Sequence, residues 1–303
     1  MPDTPEITAV GVGEGLVVFV PEPPASLVTA ETFTRSLGGA ELNVAIALEL
    51  ADVRSAVVSR VGDDGFGAFI VDELARRGVD VRAIERDADA PTGLYVKDVA
   101  GTGETRMHYY RADSAGSRLS RRTLTSPAAR EVLGRARIVH TSGVTSALSD
   151  AALDAQRMLF EEDRPDRIRS FSVHWRPALW RGREDEGRAV LAGLARKADV
   201  VFLSDEDART VFGTAGADDL RTALPEPRHL VVMHGTCATA FDGEARAEAP
   251  PIDFTLVEPT GAGDAFAAGF LAGLVHGLSL SGSLARANRL ATRAMASTRD
   301  HLG

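Results

Sequence analysis

Apolar positions recur with a period of two in short runs and about 3.6 in longer ones, and this alternation sets the expected architecture. Residues 7–12 and 16–20 read as strands joined by Gly13-Glu14-Gly15, with Pro21, Pro23 and Pro24 closing the second. Residues 32–37 lead into Gly38-Gly39, after which Val44, Ile46, Ala47, Leu48 and Leu50 give a helix with a broad apolar face. A β-rich run at 55–61, a turn at Gly62-Asp63-Asp64-Gly65 and a helix over 66–77 follow, with the two aspartates read as solvated capping residues. Strands at 138–141, 168–173, 200–203 and 229–233 then alternate with helices at 150–162, 184–196 and 205–212, the last capped by Ser204. Strands separated by such helices predict an α/β fold, a doubly wound and mostly parallel sheet with helices on both faces and ligands beyond the strands' C-terminal ends. Ser172, His174, Arg176, Ser204 and Gly235 fall at or just after those ends. No linker or repeat divides the chain, so a single domain over 1–303 is expected.

Residues 92–111 break the rhythm. Two alternating segments, 92–99 and 104–111, flank Ala100-Gly101-Thr102-Gly103 and predict an antiparallel hairpin that carries all the tyrosines, Tyr95, Tyr109 and Tyr110. Alternation places Thr105, Met107, Tyr109 and Arg111 on one face, where a phenol and a guanidinium could meet one ligand; an amphipathic surface hairpin has the same pattern. Its strand edges and exposed aromatics predict pairing with a second subunit, a homodimer or higher homo-oligomer.

Composition narrows the function classes. The chain has 303 residues, 44% apolar, with a formal net charge of −9, which argues against nucleic acid or an anionic membrane as the main partner. Lys97 and Lys197 are the only lysines and neither follows a glycine, so a lysine-bearing phosphate loop is absent. The single cysteine, Cys237, excludes an intramolecular disulfide and a cysteine-rich zinc site and fits a reducing, cytoplasmic setting. Gly11-Val12-Gly13 begins like a dinucleotide fingerprint, but a β-branched, proline-ended run follows it instead of a helix.

The densest chemistry lies in Glu258-Pro259-Thr260-Gly261-Ala262-Gly263-Asp264 and the apolar run behind it. Thr260 is expected to cap a helix, and Gly261 and Gly263 to bare the first backbone N–H groups so that an anion can sit at its N-terminus. Asp264 in the same turn suits phosphoryl transfer, orienting an attacking alcohol and accepting its proton late, with a pKa lowered by the helix dipole. A capped helix with an acidic first turn is the plainer alternative. A second glycine-marked start, Gly38-Gly39-Ala40-Glu41-Leu42-Asn43, allows a polyol to approach bare backbone, with Asn43 supplying donor and acceptor.

These residues resemble the ribokinase-like (PfkB-type) carbohydrate kinases over essentially the whole chain. Gly261-Ala262-Gly263-Asp264 is similar to the family's C-terminal signature, Glu258 to its preceding acidic residue, and the stretch from Gly38-Gly39 to Gly65 to its N-terminal signature. Within the family, Gly39-Ala40-Glu41-Leu42-Asn43, Tyr109-Tyr110-Arg111-Ala112-Asp113-Ser114-Ala115 and Arg176-Pro177-Ala178-Leu179-Trp180 look most like the 2-keto-3-deoxygluconate kinases. The resemblance implies a ribokinase-like domain with a small β lid from about 13–37 and 91–112, transferring the ATP γ-phosphoryl to a sugar-acid hydroxyl with Mg2+. It implies catalysis by Asp264 with Gly261, Ala262 and Gly263. Substrate binding falls to Gly38, Gly39, Asn43, Tyr95, Tyr109, Arg111, Arg176 and Asp300, with the two arginines for the carboxylate. Ser204, His234, Gly235 and Asn288 would contact the nucleotide and Asp207 the metal. The chain departs from the family's pattern at Ser172 and His174, where Asp and Asn are usual, at Ser204-Asp205-Glu206-Asp207 in place of Asn-x-x-Glu, and at Met233-His234-Gly235-Thr236-Cys237-Ala238, usually basic and glycine-rich. A neutral-sugar kinase, a noncatalytic binder and a scaffold are the alternatives.

Overall fold

The structure, a computed structural model, describes residues 7–99, 105–162, 164–214, 216–235, 237–250, 260–295 and 301–302. The first half contains strands β1 (Ala9–Val12), β2 (Leu16–Pro21) and β3 (Phe33–Gly38), helix α1 (Ala40–Glu49), β4 (Ser55–Gly62), α2 (Gly65–Arg76), β5 (Ile84–Asp87), β6 (Leu94–Val99) and β7 (Thr105–Tyr110). Helices α3 (Arg121–Leu124) and α4 (Pro127–Arg135) lead to β8 (Ile138–Ser142), α5 (Gly143–Leu148), α6 (Asp150–Glu161) and β9 (Ile168–Ser172). Then come α7 (Glu184–Lys197), β10 (Val200–Ser204), α8 (Asp205–Phe212), α9 (Ala217–Ala223), β11 (His229–His234), β12 (Cys237–Asp242), β13 (Ala245–Ala249), α10 (Ala262–Val275) and α11 (Leu280–Met295).

Among the described residues the strands form a nine-stranded sheet, β13-β12-β11-β10-β9-β8-β1-β4-β5, and a four-stranded sheet, β3-β2-β6-β7. The large sheet is parallel from β11 to β5, and β12 and β13 add an antiparallel edge. That edge, like β5 and α11, goes beyond the elements the sequence pattern predicts. Ala238, Thr239 and Ala240 are small, and Ala245, Arg246, Ala247 and Glu248 alternate small and charged residues, so both carry little of the bulky apolar signal by which strands are recognised.

Alternation along the central strands sorts the core into two faces. Val201 and Leu203 of β10 pack with Leu133, Phe160, Leu191 and Leu194 from α4, α6 and α7. Val200 and Phe202 pack with Val44, Phe266, Phe270, Leu284 and Leu290 from α1, α10 and α11. Helix α10 is apolar nearly all round because it is buried between the sheet and α11. A Cβ on Gly269 would lie 2.6 Å from the Ala287 Cα of α11, so a side chain there would push the pair apart. Among the described residues no helix is long and apolar enough to cross a membrane.

The small sheet is rooted beside the large sheet's C-terminal edge, since β1 passes into β2 through Gly13-Glu14-Gly15. Val17 and Leu37 join it to Leu42 and Ile46 of α1 and to Ile70 and Leu74 of α2. The hairpin's tip, Ala100-Gly101-Thr102-Gly103 with Glu104, lies outside the described residues. Asp64 caps α2 by accepting from Phe66 and Gly67 N–H, and its other oxygen accepts from Thr92 N–H, so it also ties the entry of the hairpin to the large sheet.

Candidate active site

Two helix starts meet above the strand ends. Helix α1 begins at Gly39, whose φ of 127° and 2.3 Å clearance from a built Cβ to the Glu14 carbonyl admit only glycine. Helix α10 begins at Gly261, in the left-handed region at φ 82°, with no side-chain cap on its first N–H groups from the described residues. This corrects the expectation that Thr260 caps α10: the left-handed glycine turns the chain into the helix one residue later.

The starts are joined by Asn43 Nδ2, which donates to Asp264 Oδ2 over 2.8 Å. Asn43 Oδ1 is buried without a hydrogen-bond partner among the described residues. Behind them Glu41, also buried, accepts from Ser142 Oγ and Thr145 Oγ1, both at 2.8 Å. Asp264 is only 7% exposed, and burial pushes its pKa up to about 7; the Asn43 hydrogen bond opposes the shift, the Glu41 charge adds to it and Arg176 opposes it. The expected lowering by the helix dipole is therefore overturned. A dipole term of about 0.3–1 kcal/mol is smaller than the cost of removing a carboxylate from water beside a second one.

A cavity of about 360 Å³ opens over this pair and is lined by Asn43, Asp264, Tyr95, Tyr109, Arg111 and Arg176 among others. Met107, Tyr109 and Arg111 all reach it, as alternation along β7 predicts. Tyr109 packs on Tyr95 with ring centroids 5.0 Å apart, and the Arg111 guanidinium lies 5.3 Å from the Tyr109 ring centroid. Gly38 sits behind them, where a Cβ would press on Val18 and Tyr95.

The two arginines differ in a way the sequence does not reveal. Arg111 is largely buried and its Nη2 pairs with Oε2 of Glu14, whose Oε1 accepts from Ser114 Oγ at 3.1 Å. Arg176 is exposed and donates only to the neighbouring Trp175 carbonyl among its hydrogen bonds to described residues, at 2.9 Å. Glu14, Glu41 and His174 are the titratable residues lining the cavity that motif reading did not assign to the site. The available signal for Glu14 was its place between two glycines just past β1, at the edge where ligands bind.

The residues expected to hold nucleotide and metal separate. Gly235 and Asn288 line a second, smaller cavity of about 60 Å³ with Phe266 and Gly263, and Gly263 also lines the larger one. The first turn of α10 thus stands between the two. His234 instead pairs with Asp205, and Ser204 caps α8. Asp207 is corrected as a metal candidate: Oδ1 accepts from Trp175 N–H at 2.7 Å, and Oδ2 accepts from Ser204 N–H and Oγ at 3.0 and 2.9 Å. With Oδ2 held in the Ser204 capping box and Oδ1 held by Trp175 N–H, a cation there would have to displace protein donors. Asp300 and Glu258 lie outside the described residues.

The model of the pfkB family of carbohydrate kinases matches residues 8–299. The chain is 33% identical over 277 residues to the 2-dehydro-3-deoxygluconokinase of Thermoproteus tenax, covering 90% of this chain and 83% of that one. It is 29% identical over 272 residues to fructokinase-1 of Oryza sativa subsp. japonica, covering 88% and 83%. The crystal structure of a PfkB protein from Polaromonas sp. JS666 is similar with a TM-score of 0.85 at 29% identity, over 95% of both chains.

Proposed function

Because this chain belongs to the pfkB family of carbohydrate kinases and is a sugar kinase, we propose that it transfers the ATP γ-phosphoryl group to a hydroxyl of a sugar acid, 2-keto-3-deoxygluconate in particular. The observation that carries this reading is the position of the first turn of α10 between two cavities, with Asp264 on the larger and Gly263 on both. Uncapped N–H groups at that turn suit phosphate oxygens, and the recess at Gly235 and Asn288 suits part of a nucleoside. ATP supplies the phosphoryl group and a nucleotide leaving group. Asn43 holds Asp264 Oδ2, which leaves Oδ1 to orient the acceptor hydroxyl and take its proton. Tyr95 and Tyr109 form an apolar wall for the sugar, and Arg176 meets its carboxylate. Asp207, with both oxygens accepting hydrogen bonds from the protein, does not fit a direct metal-ligand role, and Mg2+ would arrive on the nucleotide phosphates.

A neutral-sugar kinase is the second reading, favoured by the fructokinase similarity and by the Glu14 carboxylate that already balances Arg111. We further propose a single functional domain in a cytoplasmic enzyme that dimerises through the small sheet, whose outer strands carry the exposed Phe33 and Tyr110. The test of function is ADP release measured across a panel of sugar acids and matching neutral sugars. Turnover confined to neutral sugars would sink the sugar-acid assignment.

A further inference from the structure

One group in the larger cavity has no role in the reaction described above. His174 follows β9 with a φ of 43°, a left-handed backbone uncommon for any residue but glycine. Its ring is buried, its Nδ1 has no partner among the described residues, and its Nε2 lies 3.8 Å from Asp264 Oδ1. A left-handed backbone costs stability, and here it is held in a cavity residue beside the Asp264 carboxylate, which is the pattern of a group placed for a ligand.

The 3.8 Å separation is too long for a direct hydrogen bond. It is short enough for one oxygen atom to sit about 2.8 Å from both groups. Asp264 Oδ2 is taken by Asn43, so Oδ1 is the oxygen that an acceptor hydroxyl reaches. We propose that His174 is a specificity-determining residue in contact with substrate, its Nε2–H donating to the same hydroxyl whose proton Asp264 Oδ1 accepts. The imidazole thereby selects which sugar hydroxyl is offered for transfer. This rests on the kinase reading above.

The proton balance is simple. The hydroxyl O–H bond breaks and its proton passes to Asp264; the oxygen forms a bond to the γ-phosphorus as the bond to the ADP oxygen breaks. His174 keeps its proton throughout. That agrees with its neutrality, since burial and the nearby Arg176 charge hold its pKa down at about 3.

His174→Gly removes the ring at a backbone conformation that glycine adopts freely, and His174→Asn keeps a donor in a residue that tolerates it. Steady-state ADP release, thermal melting and the phosphorylated position by 31P–1H correlation spectroscopy are measured for both. The glycine variant is expected to lose roughly 10- to 100-fold in kcat/KM for the sugar, with the ATP KM within about twofold, and to give a mixture of positional products. The asparagine variant should recover part of the loss and the single product. A glycine variant with kcat/KM within about twofold of wild type and one product overturns the proposal. So does a loss that asparagine does not recover and that travels with lowered melting temperature and ATP affinity. If the wild type releases no ADP with any sugar, the kinase reading fails before any substitution is made, and this proposal with it.

Discussion

Asn43 and Asp264, 221 residues apart in sequence, share a 2.8 Å hydrogen bond that fixes Oδ2 of the carboxylate, while Oδ1 stands 3.8 Å from His174 Nε2. If Oδ1 is the proton acceptor, Asp264→Asn should lower kcat by roughly 10²–10⁴ while calorimetric affinities for sugar and ATP stay near wild type. A variant within a few fold of wild type would remove Asp264 from the chemistry.

The raised pKa gives this carboxylate a pH signature. Because Asp264 must be ionised to accept a proton, kcat/KM should climb through about pH 7 and level off above it, where a dipole-lowered carboxylate would give a flat profile down to pH 5. The stability sign is opposite. The folded state holds this proton more tightly than the unfolded chain, so the contribution to stability is full below the ordinary value of 3.8 and is lost as pH rises through about 7. Asp264→Asn should therefore melt higher than wild type at pH 8 and not at pH 5.

The different settings of the two arginines separate binding from folding. Arg176→Ala should raise the KM for the sugar acid by roughly tenfold with little change in stability, since an exposed side chain loses one hydrogen bond to the protein. Arg111→Ala should also destabilise the fold by about 3–5 kcal/mol in urea titrations, because it leaves the buried Glu14 unpaired. Equal loss of sugar-acid and neutral-sugar turnover in Arg176→Ala would count against a carboxylate at that position.

Gly39 ties local backbone to site geometry. Gly39→Ala should cost at least about 1–3 kcal/mol from the positive φ alone, with more from contact with the Glu14 carbonyl, and should weaken sugar binding by displacing Asn43. Thermal melts and sugar titrations of the same preparation check both effects.

Subunit association is checked by sedimentation. The outer strands β3 and β7 of the small sheet predict a dimer at micromolar concentration, and substitution of the 64% exposed Tyr110 by Asp should shift it toward monomer. A wild-type monomer under those conditions rejects the dimer.

The sequence by itself determined the βα alternation, the tyrosine-bearing hairpin and the two glycine-marked helix starts, because period and turn chemistry are local properties of the chain. Family membership was legible for the same reason, since Gly38-Gly39 and Gly261-Ala262-Gly263-Asp264 are contiguous motifs. Only the tertiary structure decided what depends on burial and on partners distant in sequence. It raised the Asp264 pKa by enclosing it near Glu41, tied Arg111 to Glu14 across 97 residues, and committed Asp207 to the Trp175 and Ser204 N–H groups. It also brought His174, in sequence only a departure at a strand end, to within 3.8 Å of Asp264. Desolvation and pairing are set by which atoms surround a charge, and no spacing along a single strand or helix specifies them.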